Sequence, residues 1–219
     1  MKRIQLLFLL FIGISLQGQV NNTLDFTADI KTYDVSDLWT LEKIQIYGDT
    51  ATFERSEPLG FIGENFQRFH IRLISVIKHP ENEFVYFVYG KTRVKNNICS
   101  FQGQITITES RLYEKGDVPN LKQGFLKGKY VFFEDASKKG TGVFKGDLKT
   151  NFYIDEKGEL TYDALSFGAD GYKNNQFKGT WKSYKTGQSK ICNWGDDRIP
   201  DSAALDVGTA EFYPGDSYD

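Results

Sequence analysis

The sequence predicts an all-β protein, an antiparallel β-meander of roughly eight to ten strands closed into a barrel. Three observations lead there. Period-two alternation of apolar and polar residues recurs along the chain, and no long segment keeps a helical period. Aromatic residues make up 15% of the sequence, most of them Tyr and Phe, which suit a pleated, half-buried surface. Finally, glycine recurs on the apolar face between large side chains, a device that lets a sheet curl without crowding its concave side.

The chain opens MKRIQLLFLLFIGISLQGQ. A basic start at Lys2 and Arg3, an apolar run to Leu16 and a small-residue exit read as a secretory signal peptide over 1–19. That run is shorter than the ~20 residues of a spanning helix. No Cys follows it directly, which argues against a lipoprotein anchor. The expected product is exported and soluble, periplasmic or extracellular, with no membrane span. It comprises a single β-barrel domain over 20–195 and an irregular acidic tail over 196–219 packed on or near the barrel. Taking Lys2 and Arg3 off the 27 basic residues leaves 25 against 29 acidic ones, a formal charge of −4. With no basic stripe to replace counterions on phosphate, nucleic acid is not an expected partner.

In chain order, "LWTLEKIQIYG" (38–48) reads as a first strand. "FQRFHIRLISVIKHP" (66–80) alternates through Phe69, Ile71 and Leu73, with an irregularity before Val76. "NEFVYFVYGKTRV" (82–94) is a long strand, apolar on both faces in its middle. Four segments then repeat one rhythm, apolar-x-Gly-x-apolar: Phe101-Gly103-Ile105, Leu126-Gly128-Tyr130, Phe144-Gly146-Leu148 and Phe177-Gly179-Trp181. "DASKKG", "DEKG" and "ADG" supply the turns between them. Cys192 is expected to fasten the segment after the last barrel strand, and "NWGDDRIP" (193–200) then leaves the barrel as an irregular acidic tail, with Trp194 plugging one end and Arg198 meeting Asp196, Asp197 or another acid.

This rhythm, with Gly179-Thr180-Trp181, resembles the calycin group of up-and-down barrels, which includes avidins and lipocalins, over residues 98–184. The resemblance is architectural. The residues after Gly-Thr-Trp depart from an avidin's ligand-binding run, so no biotin residues carry over. With its "CNWGDDRIP", the whole chain also resembles uncharacterised exported proteins of Bacteroidota, which implies a compartment and not an activity.

The only two cysteines are Cys99, expected to face inward, and Cys192, after the last clear strand. A bridge between them would close a loop of about ninety residues and contribute ~4 kcal/mol in the chain-entropy account. The rival reading is two separate buried thiols. Neither lies near a His in sequence, which disfavours a nucleophile. His70 and His79 are the only histidines, and CxxC and HExxH spacings are absent, so no metal site and no cofactor is expected. His70 reads as a barrel-wall residue and His79, before Pro80, as part of a turn. Asp196, Asp197 and Asp201 lack the ordered spacing of a calcium loop. Asp163, Asp170, Asp196 and Asp197 are candidates for a carboxylate pair, although turn formation alone accounts for Asp170. No GxSxG elbow is present, and no catalytic residue is assigned.

The aromatic residues remain. Trp39, Tyr86, Tyr130, Trp181 and Trp194 are the candidate ligand-binding residues, and core packing is the competing role for each. The expected function is therefore a non-enzymatic exported barrel binding a small apolar or amphipathic ligand. The alternatives are an envelope protein-interaction or structural module and a carboxylate-dependent hydrolase.

Overall fold

The structure is a computed structural model that describes residues 22–202, 205, 206, 208, 212–214 and 218. The segment 1–19, read above as a signal peptide, lies outside them.

The described chain runs β1 (Thr23–Asp25), α1 (Thr27–Ile30), α2 (Asp37–Thr40), β2 (Lys43–Gln45), β3 (Thr52–Glu54), β4 (Leu59–Ile62), β5 (Gln67–Arg68), β6 (His70–Lys78) and β7 (Val85–Val94). It continues through β8 (Asn97–Tyr113), β9 (Lys122–Glu134), β10 (Gly142–Ile154), β11 (Leu160–Tyr162), β12 (Asn174–Ser183) and β13 (Ser189–Asp196). The protein is all-β. Its main sheet is antiparallel throughout, ordered β5-β4-β13-β12-β10-β9-β8-β7-β6, with β1 added on β8 and β11 on β10. β2 and β3 form a separate hairpin.

This sheet curls as a half-barrel, and the glycine rhythm shows how. Gly146 of β10 and Gly179 of β12 face each other in register. A Cβ on Gly146 would stand 2.0 Å from the Lys178 carbonyl, and one on Gly179 would stand 2.3 Å from the Lys145 carbonyl. Only a bare backbone allows strands so close on the concave side. Around them the concave side fills with rings. Phe177 and Trp194 stack at 4.8 Å and 14°, and Tyr130 meets Trp194 edge-on at 5.1 Å. Phe69, Phe101, Phe132 and Phe144 complete this layer, all buried. At one place the ends of the sheet come together: β5 runs straight into β6 through Phe69, whose N–H bonds the Gly60 carbonyl at 2.9 Å.

Two segments depart from the sequence reading. The first strand expected over 38–48 is instead the helical turn α2 followed by β2. Leu38 and Trp39 are adjacent and both buried, a pairing that a turn of helix achieves and a one-sided strand cannot. The second is the segment from Asn193, expected to leave the barrel and in fact the end of β13 (Ser189–Asp196), a strand hydrogen-bonded between β12 and β4. Cys192 through Asp196 are buried without a break, so no alternation marks the strand. Ile199, Leu205 and Tyr218 cover Phe61 of β4 from outside, and the Tyr218 hydroxyl donates to the Gly60 carbonyl at 2.9 Å. Trp194 thus lies in the interior and plugs no end, while Arg198 pairs with Asp206. The irregularity expected before Val76 is a register shift between Leu73 and Ser75.

Candidate functional site

The end of the half-barrel near α2 is built from one polar chain. Trp39 Nε1–H donates to Thr150 Oγ1 at 3.0 Å, and the Thr150 hydroxyl donates to Asn175 Oδ1 at 2.9 Å. Asn175 Nδ2 donates to the Leu38 carbonyl and to Asp196 Oδ2, each at 2.9 Å. Tyr162 OH donates to the same carboxylate oxygen at 2.8 Å. Arg55 completes the chain, with Nη2 at 2.9 Å from both Asp196 oxygens and Nη1 at 3.1 Å from the Trp39 carbonyl. Burial alone would lower the pKa of Arg55, but the Asp196 carboxylate more than offsets it and the guanidinium ends above its ordinary value. Burial, with Asp196 adding, pushes the Tyr162 phenol far up, so it stays a donor.

Beside this chain lies a cavity of about 860 Å³ between β6 and the 54–58 segment. Trp39, Phe177, Trp194, Ile71 and Leu73 supply its apolar wall, and Arg55, Asn175 and Asp196 its inner polar wall. Those three polar groups are already bonded within the protein, so the interior offers a ligand apolar contact above all. The mouth is charged and bridged. Arg72 of β6 pairs with Glu42, and His70 Nδ1 sits 3.0 Å from Glu57 Oε2. Ile74, the extra residue of the register shift, is 47% exposed at the same opening.

A smaller cavity of about 330 Å³ opens at the opposite end, among the turns that join β7 to β8, β9 to β10 and β4 to β5. Its wall holds Glu134, 6% exposed. The Thr92 hydroxyl donates to Glu134 Oε1 at 2.7 Å, while the Gly142 N–H and Trp181 Nε1–H each donate to Oε2 at 2.9 Å. A third cavity of about 390 Å³ holds Asp170, Tyr172 and Asp197.

The five aromatics singled out from sequence divide three ways. Trp39 and Trp194 line the larger cavity and Trp181 the smaller one. Tyr86 and Tyr130 line neither. Tyr86 accepts the Val35 N–H at 3.2 Å and packs edge-on against Trp39 at 5.4 Å, holding the N-terminal turn in place. Tyr130 lies in the ring layer, and among the described residues its buried hydroxyl has no hydrogen-bond partner.

The expected Cys99–Cys192 bridge gives way to the rival reading: both are free, buried thiols. Cys99 is on β8 and Cys192 on β13, with β9, β10 and β12 between them in the sheet. Burial raises the pKa of each thiol, with Glu134 adding to the effect.

The acids scatter. Asp196 is held by Arg55, Asp201 pairs with Lys178 at 2.6 Å, and Asp163 accepts from Gln123 Nε2 at 3.2 Å. Among the described residues no group of three His, Cys, Asp or Glu is arranged to hold a metal ion. His79 Nδ1 accepts the Glu81 and Asn82 N–H groups at 3.0 and 3.1 Å, as a turn residue does.

Sequence reasoning missed Arg55, Asn175 and Glu134. Glu134 had a signal, since it continues the inward parity of Leu126, Tyr130 and Phe132 along β9. Arg55 and Asn175 had none, because their partners are far away in sequence. Comparison with protein-family models, curated proteins and solved structures finds no match.

Proposed function

We propose that this is a non-enzymatic binding protein whose half-barrel closes as a calycin-like barrel around a small, partly apolar ligand held in the larger cavity. The observation that carries the reading is the apolar wall of Trp39, Phe177, Trp194, Ile71 and Leu73 around about 860 Å³, within the usual range of small-molecule pockets. The inner polar groups are saturated, so affinity comes from apolar burial, and the charged mouth receives the ligand's polar end. The Phe69–Gly60 hydrogen bond supports closure, and the residues of the opening segment support export to the periplasm or beyond.

Two measurements test this. Native mass spectrometry of protein purified from its own cells should show a discrete extra mass that is lost on denaturation. Titration with N-phenyl-1-naphthylamine should quench tryptophan fluorescence, and Leu73→Trp, which fills the cavity from its wall, should abolish that quenching while far-UV circular dichroism persists. A clean mass together with no quenching would overturn the reading.

A second reading, an envelope protein that captures a partner, draws on the outer face of β6 and β7. There Ile77 and Phe87 are cross-strand neighbours, 62% and 46% exposed. Ile77→Ser with Phe87→Ser would abolish partner capture and leave ligand binding intact.

A further inference from the structure

The larger cavity and the cavity at the opposite end differ in what they leave unsatisfied. In the larger one the buried polar groups are spent on each other. In the smaller one the buried carboxylate of Glu134, though bonded, keeps an acceptor position open. A carboxylate offers about four acceptor positions. Glu134 uses three: Thr92 takes one on Oε1, and Gly142 and Trp181 take two on Oε2. One acceptor position on Oε1 remains at the wall of the cavity.

The Asn97 amide on this wall donates to the Lys139 and Gly140 carbonyls, while other polar groups at the opening reach solvent without a protein partner. Lys95 and Lys190 line this cavity, and neither has an acidic partner among the described residues. Asn65 and Gln67 also line it, and their side-chain amides make no hydrogen bond to another described residue. Between these groups stand two rings, Trp181 and Phe144. The indole is fixed, its N–H held by Glu134 and its Cε2 over Gly142, where a Cβ would stand 2.7 Å away. A small occupant that satisfies this lining needs three things: a donor hydroxyl for Glu134, an anionic group for the two lysines, and an aliphatic face for the rings. The volume of about 330 Å³ keeps it small.

We propose that the smaller cavity is a second binding site, separate from the larger one, for a sugar acid of monosaccharide size. The ring hydroxyls meet Glu134 and the amides of Asn65 and Gln67. The carboxylate meets Lys95 and Lys190, and the pyranose face lies on Trp181.

The chain has three tryptophans. Trp181 is in this cavity, while Trp39 and Trp194 are in the other. Their indole N–H resonances therefore report the two sites separately in a ¹⁵N-correlated NMR titration of the full chain. Sodium glucuronate should shift the Trp181 resonance saturably and leave Trp39 and Trp194 in place. Glucose should shift the same resonance with about tenfold weaker affinity, since it lacks the charge-assisted contacts. Lys95→Ala with Lys190→Ala removes two surface amines without touching the core, and should bring glucuronate down to the level of glucose. Glu134→Gln should weaken both sugars. If neither sugar moves Trp181, or if sodium acetate moves it as effectively as glucuronate, the proposal is overturned. N-phenyl-1-naphthylamine, which reads out through Trp39 and Trp194, keeps the fate of the larger-cavity reading distinct from this one.

Discussion

Arg55 and Asp196, 141 positions apart, meet through three contacts: Nε to Oδ2 at 3.2 Å and Nη2 to both carboxylate oxygens at 2.9 Å. The pair fastens the segment entering β4 to the last residue of β13, with side chains only 11% and 3% exposed. Cutting either side leaves a buried charge alone. Asp196→Asn and Arg55→Met should each cost about 3–5 kcal/mol in urea unfolding. The double variant Arg55→Met with Asp196→Leu should lose less than the sum of the singles, and additivity would show that the two residues act independently.

The neighbouring acid sets a pH dependence of opposite character. Burial, reinforced by the Asp196 charge and opposed by Arg55, raises the Asp197 pKa from 3.8 to about 6. A folded-state pKa above the unfolded one means that the native protein binds the proton more tightly. Its contribution to stability is complete below about pH 4 and is lost as pH rises to about 6. Asp163, raised in the same direction by burial, adds to that slope. Asp197→Asn should flatten the slope of stability between pH 4 and 6 and stabilise the protein at pH 8. Asn also tolerates the left-handed backbone at this position, φ 60°. Urea midpoints across the pH range test it, and an unchanged slope would refute it.

At Gly179 an added methyl has nowhere to go. Its Cβ would stand 2.3 Å from the Lys145 carbonyl and 2.5 Å from the Tyr130 hydroxyl. Gly179→Ala should destabilise the fold by about 1–3 kcal/mol through overpacking. Thermal unfolding monitored by circular dichroism measures this directly.

Tyr130 gives the reverse case. Its buried hydroxyl has no partner among the described residues, and a buried unpaired polar group costs about 1–3 kcal/mol. Tyr130→Phe keeps the ring contacts with Phe177 and Trp194 and should raise stability by about 1 kcal/mol. A loss of stability would reveal a partner for the hydroxyl.

Both cysteines are buried and free. A thiol reagent such as 5,5′-dithiobis(2-nitrobenzoate) should react with neither in the native protein and with both after unfolding, without prior reduction. Reaction only after reduction would restore the disulfide.

Much of the fold was legible because most strands have one face in the ring layer. Phe101, Ile105, Tyr130, Phe144 and Phe177 announce themselves by alternating with polar neighbours. β13 was illegible for the corresponding reason: β12 and β4 flank it and the residues after it pack outside, so its residues are buried continuously and carry no period. α2 failed because Leu38 and Trp39 are inward together. The sites followed the same logic. Trp39, Trp181 and Trp194, singled out because large rings stand out in any sequence, line cavities. Arg55 was lost because an ion pair across 141 positions leaves no local trace.

The place of β13 between β12 and β4 also orders the life of the chain in time. β4 is made early, yet apart from its short pairing with β5 its ladder partner is β13, the last named strand in chain order among the described residues. Until Cys192 to Gly195 emerge, Phe69, Tyr130 and Phe177 have no Trp194 to cover them. A nascent chain halted before that point exposes its stickiest surface, and refolding must wait for a contact between distant parts of the sequence. Loss of Cys192 to Gly195 would therefore act as a failure of the entire sheet rather than a trimming of its edge.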